Sequence, residues 1–225
     1  MSQWVDLTLT LGGPKVTAVP GLPGVEIDPV MDHPTHFRHN TKITMSIHVC
    51  THVDAPYHFH VDGDTVDEMP LEKYMGPGLL LDLRSRWQRR APVTLDDIKA
   101  LSIPDESFHD KIVVFYTGWV ESEFGQPHVY TDNPHMGVDT ARYLVEQGVR
   151  AVGVDFAVDA NPPIPTPRPE NYPVHRILLG ADIPLIENLV NLDKLAGKKF
   201  ELFALPIKIY RGDGAATRAV AWLLD

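Results

Sequence analysis

Seven of the eleven histidines in this chain fall between His33 and His60. The densest part, HVCTHVDAPYHFH, places His48, His52, Asp54, His58 and His60 within thirteen residues. Imidazole nitrogen and carboxylate oxygen are the donors that hold zinc, manganese or iron(II), and a site built from them without thiolates is more often catalytic than structural. A divalent ion in such a set lowers the pKa of its water to roughly 7 and polarises a carbonyl oxygen, which suits hydrolysis of an amide.

The spacing sets geometric conditions. Ile43, Met45, Ile47 and Val49 alternate with Thr44, Ser46 and His48, the period-two pattern of a half-buried strand with His48 on its polar side. In a straight strand Cys50, His52 and Asp54 would share that side. The Cα atoms of His48 and His52 would then lie roughly 13 Å apart, near the limit for sharing one ion with Zn to N at about 2.1 Å. The spacing therefore predicts a bend near Cys50 and Thr51. Pro56, which fixes φ and gives no ladder donor, ends the extended stretch and lets a tight loop return His58 over the same point.

HVCTHVDAPYHF resembles the HxGTHxDxPxH signature of the cyclase-like metal-dependent hydrolases, the family that includes bacterial kynurenine formamidases and isatin hydrolases. The likeness extends over most of the chain, in the same order, through DLTLTL near the start, YTGW at 116–119, GVRAVGVDFAVD at 148–159, and His175 followed twelve residues later by Glu187 in PLIENL. The resemblance implies that His48, His52 and Asp54 bind metal and that His175 and Glu187 complete a centre of one or two ions. It implies Zn2+ first, with Mn2+ as the alternative, and a proton-transfer role for His58. It also implies one α/β domain over residues 1–225 with the family's swivelling β/β/α architecture, a small-molecule substrate, and a homodimer or homotetramer.

Three departures from the family pattern stand out. Cys50 occupies a position usually held by Gly, so the bend must form without a residue that freely takes positive φ. A buried thiol there reads as a small packed side chain. In VTAVPGLPG (16–24) Val19 stands where formamidases carry a tryptophan before Pro-Gly. Residues 161–173 hold six prolines, which stiffen the segment toward an extended path; a pocket wall and a surface arm both fit it. The last two departures point away from a kynurenine-type substrate and leave the hydrolytic residues untouched.

The activity that follows is hydrolysis of a small formamide, cyclic amide or imide. His58 would pass a proton to the leaving nitrogen, a task suited to a side chain that titrates near neutrality. An isatin-hydrolase-like or lactone-opening enzyme is the alternative within hydrolases. A non-haem iron(II) oxygenase using His52, Asp54 and His175 is the alternative from another class, and it leaves His48, His58 and Glu187 unused. A metal-binding module without catalysis would need the remaining coordination positions closed by protein. No GxSxG elbow supports a serine nucleophile. His33, His36 and His39 read as exposed loop residues, His60 as a surface or supporting residue, and Asp62 and Asp64 as a turn about Gly63.

The elements that must position these residues are mixed. GLLLDL (78–83), KIVVFYTG (111–118), VRAVGVDF (149–156) and FELFALPIKI (200–209) read as buried strands. Thr94 with Asp97 forms a capping box for a helix through Leu101. Asp139 or Thr140 opens a second helix that ends at Gly148, and Pro173 starts a third that carries His175. Helix running into strand at Gly148 is an αβ unit, which sets the class as α/β.

The 225 residues are 44% hydrophobic and 22% charged, enough for one sizeable core. A formal charge of −10 without a basic stripe argues against nucleic acid and anionic membrane as partners. A single cysteine, no apolar run near 20 residues and no signal-peptide pattern at the start lead to the expectation of a cytoplasmic protein.

Overall fold

The apolar runs of the sequence become the strands of one large sheet. The computed structural model describes residues 3–13, 16–160 and 169–224. Its strands are β1 (Trp4–Asp6), β2 (Glu26–Met31), β3 (Asn40–Thr44), β4 (His52–Asp54), β5 (Met75–Asp82), β6 (Pro92–Val93), β7 (Ile112–Tyr116), β8 (His135–Met136), β9 (Ala151–Val154), β10 (Leu185–Glu187), β11 (Phe200–Phe203), β12 (Gly214–Ala216) and β13 (Val220–Leu223). Nine form a sheet in the order β1-β13-β11-β5-β7-β9-β10-β4-β12, while β2 pairs with β3 and β6 with β8. The inner strands β5, β7, β9 and β10 are parallel. Those outside them run antiparallel.

Parallel strands need both faces covered, and β7 shows how that is met. Val113 and Phe115 enter one core, and Ile112, Val114 and Tyr116 enter the other. Helices α1 (His33–His36), α2 (Leu95–Lys99), α3 (Trp119–Glu123), α4 (Val138–Glu146) and α5 (Pro173–Leu179) punctuate the strands. α4 packs on α2 and α5, and Leu144, Leu178 and Leu179 join Val113 and Phe115 in the first core. Val53, Ile186, Phe200, Leu202 and Ala221 build the second. The α/β class read from the sequence is the one observed.

Local signals hold where a cap or a proline carries them. Thr94 and Asp97 form the reciprocal capping box of α2, and Pro173 occupies the first turn of α5. Gly148 takes φ +65° immediately beyond α4, the left-handed step that lets the chain turn into β9. α4 begins at Val138, capped by Gly137, rather than being opened by Asp139 or Thr140; the Thr140 hydroxyl is donated to the Val93 carbonyl and ties the helix start to β6. The run 200–209 is strand only to Phe203; Pro206, which has no N–H to give a ladder, makes one isolated bridge to Thr217.

Two expectations are corrected. The alternation 43–49 is not one half-buried strand: β3 ends at Thr44, pairs only with β2 and is exposed along its length. Residues 45–51 then lie outside any strand, bending from Ile47 to Thr51, so His48 stands on a loop. His33–His36 is a one-turn helix rather than loop, because the Asp32 side chain accepts the Thr35 N–H at its start. Its residues are exposed, as expected. The turn at Gly63 is present. Of the proline-rich segment, residues 161–168 lie outside the described part of the chain, and the pocket-wall and arm readings fall on them.

Candidate metal centre

β4 is only three residues long, but both of its edges are hydrogen-bonded, to β10 on one side and β12 on the other. Val53 points into the second core. Period-two alternation therefore sends His52 and Asp54 together to the opposite face. Glu187 is the direct partner of His52 in the ladder, and directly opposite residues share a face. His52 Nε2 lies 3.3 Å from Asp54 Oδ1 and 3.7 Å from Glu187 Oε2.

The bend anticipated at Cys50 exists, and Cys50 itself makes it with φ +58°. Its carbonyl accepts from His52 Nδ1 at 2.8 Å and from Asn188 Nδ2 at 2.9 Å. Thr51 donates its hydroxyl to the Asn188 carbonyl and accepts the Leu9 N–H. The left-handed residue is thus locked from several sides, which offsets its conformational cost of about 1–2 kcal/mol. Because the chain folds back there, the His48 and His52 rings come within 5.2 Å, far closer than a straight strand would allow. A single 3₁₀ turn, Pro56–His58, then brings His58 over His48, with the rings stacked at 3.8 Å.

α5 delivers the distal histidine. Asp159 accepts the N–H groups of Val174 and His175 at 2.9 and 3.1 Å and the His175 Nδ1 at 2.6 Å. With Nδ1 committed to that carboxylate, His175 Nε2 faces Asp54 Oδ2 and Glu187 Oε1, each at 3.6 Å. His52 and His175 therefore each stand against one oxygen of Asp54 and one of Glu187.

Within this ring His52 Nε2, Asp54 Oδ2 and Glu187 Oε1 are buried and have no hydrogen-bond partner among the described residues. Leaving such atoms unpaired costs about 1–3 kcal/mol each, and all three belong to groups that ligate metal. Burial alone would push Asp54 up, yet His48 and His52 hold its carboxyl well below the usual range. Burial and the neighbouring Asp54 charge push Glu187 up. Burial opposes a charge on His48 and His175, but Asp54 with Asp213 holds the first, and Asp159 with Asp54 the second, at about 10. His58 goes the other way, lowered by burial. The cluster thus recruits protons to balance two buried carboxylates, a task a divalent cation would take over. The residues fit such an ion.

All six site residues singled out from the sequence, His48, His52, Asp54, His58, His175 and Glu187, meet in this one cluster. His60 does not join it, and its Nε2 donates to the Arg176 carbonyl instead. Sequence reasoning missed two carboxylates. Asp159 orients His175, and its place at the end of a strand-like run gives no spacing signal. Asp213 accepts from His48 Nε2 at 2.9 Å, and it lies in RGDGAA, which reads as an ordinary turn.

A mixed sheet with a His/carboxylate cage at one flank makes this an α/β chain with a candidate metal centre. The sequence matches the family described as putative cyclase over residues 5–160, and the chain belongs to that family. Its relatives include the kynurenine formamidase of Bacillus mycoides (strain KBAB4), 29% identical over 225 residues and 97% of each chain. The kynurenine formamidase of Bacillus cereus (strain ATCC 14579) is 33% identical over 80% of this chain and 78% of the relative. Among solved structures, an isatin hydrolase bound to the product analogue thioisatinate superposes with TM-score 0.83 at 25% identity, covering 98% of this chain and 92% of that one. A predicted metal-dependent hydrolase from Bacillus stearothermophilus gives 0.71 at 25% identity over 97% of both. The fold implied by the family resemblance is the fold these structures share.

Proposed function

We propose that this chain is a metal-dependent hydrolase that opens the C–N bond of a small amide: a formamide on an aromatic amine, or a cyclic amide or imide. The observation that carries the reading is the ring of His52, Asp54, His175 and Glu187, whose nitrogen and carboxylate oxygen atoms approach to 3.3–3.7 Å, with His52 Nε2, Asp54 Oδ2 and Glu187 Oε1 buried and without a hydrogen-bond partner among the described residues. These four with His48 would hold the ion, Zn2+ in first place and Mn2+ in second, with room in the donor set for one ion or two. When bound, the ion supplies Lewis acidity toward a carbonyl and toward water.

The remaining work falls to the chain itself. His52 Nδ1 and His175 Nδ1 are committed to the Cys50 carbonyl and the Asp159 carboxylate, which leaves both Nε2 atoms as the donors toward the ion. His58, whose pKa burial lowers, accepts a proton at a ring nitrogen and returns it to the departing amine, which leaves badly without it. Phe59, stacked on His175 at 4.6 Å, and Tyr172, 5.3 Å from Phe59, offer an aromatic wall for a flat substrate. The isatin hydrolase superposition favours a cyclic substrate as the second reading.

Metal analysis together with hydrolysis of formanilide and isatin, each in air and under nitrogen, tests this. Zinc or manganese at stoichiometric level, loss of turnover on chelation and no need for oxygen are expected. In His58→Ala the metal is retained and turnover falls by about 10²–10⁴; parent-rate hydrolysis in that variant overturns the proton-transfer role, and a strict need for iron(II) and O₂ overturns the hydrolytic reading.

No helix among the described residues is long and apolar enough to cross a membrane, and a cytoplasmic place is part of this proposal, as is assembly into a homodimer or homotetramer. The β2–β3 hairpin supports assembly: it exposes Ile27, Val30, Phe37 and Ile43, and a two-stranded hairpin alone is marginal in water. Light scattering at micromolar protein that gives a monomer mass rejects it.

A further inference from the structure

Asp213 touches both kinds of group in the site. Its Oδ2 accepts from His48 Nε2 at 2.9 Å and lies 3.5 Å from His58 Nδ1. The other nitrogen of His48 faces Asp54 Oδ1 at 2.8 Å, so the His48 ring is held between two carboxylates while His58 stacks on it, tilted by only 17°.

The backbone that carries Asp213 is fixed just as firmly. Its carbonyl accepts the Ala55 N–H at 2.9 Å, and the next residue, Gly214, pairs with Asp54 in the ladder. A Cβ on Gly214 would stand 2.4 Å from the Val53 carbonyl oxygen and 3.2 Å from His48 Cε1. The segment can approach this closely only because residue 214 has no side chain.

We infer that Asp213 is a positioning residue of the proposed reaction: one carboxylate fixes the tautomer of the metal-binding His48 and the ring direction of the proton-carrying His58. Carboxylates behind ligating imidazoles act in this way, and their removal typically costs 10- to 100-fold in metal affinity or activity. At Asp213 one removal affects both. The inference rests on the roles proposed for His48 and His58, and the experiment separates its failure from theirs.

Asp213→Asn, His58→Ala and the double variant are compared for zinc affinity by chelator competition and for kcat and KM with formanilide. Asp213→Asn lowers zinc affinity and kcat, each by about 10- to 100-fold, with KM nearly unchanged. His58→Ala lowers kcat and leaves zinc affinity at the parent value. Measured at saturating zinc, which takes the affinity loss through His48 out of the comparison, the double variant turns over no more slowly than His58→Ala, because two residues that act as one unit are not additive. Asp213→Ser repeats the affinity loss with a different side chain, which guards against a folding artefact of the amide. Parent zinc affinity and kcat in Asp213→Asn, with His58→Ala impaired, overturns the inference alone; so do losses that multiply in the double variant. Parent turnover in His58→Ala overturns the proton-transfer reading and with it the role of Asp213 through that ring.

Discussion

Glu187 stands directly across the β4–β10 ladder from His52, its Oε2 3.7 Å from His52 Nε2. An ion cage is therefore partly a matter of strand register: a slip of one residue would turn Glu187 to the opposite face. Glu187→Gln keeps the shape and removes the charge. Zinc affinity in that variant should fall by at least 10-fold, read by chelator competition, while the far-ultraviolet circular dichroism stays that of the parent.

Gly214 offers a test of how closely β12 must lie on β4. Gly214→Ala puts a methyl against the Val53 carbonyl and the His48 ring. Overpacking of this kind costs about 1–3 kcal/mol. A drop in Tm accompanied by weaker zinc binding is expected, because the same atoms carry strand pairing and His48 placement; a drop in Tm with unchanged zinc binding would separate the two.

Asp155 gives a pH dependence away from the cage. Fully buried, it is pushed up to about 7 by burial, against the pull of the Thr117 and Gly118 donors. An unfolded Asp titrates near 3.9, so between about pH 4 and pH 7 the folded chain binds more protons at this site than the unfolded one. The contribution of Asp155 is thus fully present below about pH 4 and lost as pH rises through 7, by at most about 4 kcal/mol. Asp155→Asn cannot titrate there, so the Tm difference between parent and variant should move against the parent as pH is raised from 4.5 to 7.5. A constant difference across that range rejects the shift.

Cys50 is fully buried and its thiol is pushed up to about 11 by burial. Thiolate is the reactive form, so iodoacetamide at pH 8 should leave the native protein unlabelled and modify it stoichiometrically in guanidinium. Rapid labelling of the native protein would mean that the Cys50 bend opens.

Much of the site was legible because metal donors are few in kind and their spacing is constrained. His52 and Asp54, two apart, had to share a face, and Pro56 had to end the strand. The path to His48 was misread, because alternation at 43–49 carries the same signal whether a strand packs on a core or, like β3, projects with both faces wet. Asp213 and Asp159 were invisible for another reason: each acts on a histidine far away along the chain, at 165 and 16 residues respectively, and a lone aspartate in a turn has no period to betray it. The strand runs were found where both faces are buried, as in β7, and overextended where Pro206 intervenes.

β4 is seated between two strands that are made long after it, β10 and β12. A ribosome releases His48, His52 and Asp54 early, yet the partners that hold them in register emerge only with the last quarter of the polypeptide, and β1 must likewise wait for β13. The nascent chain consequently has no finished cage, and under the proposed metal-dependent reading any loading would follow completion of the molecule.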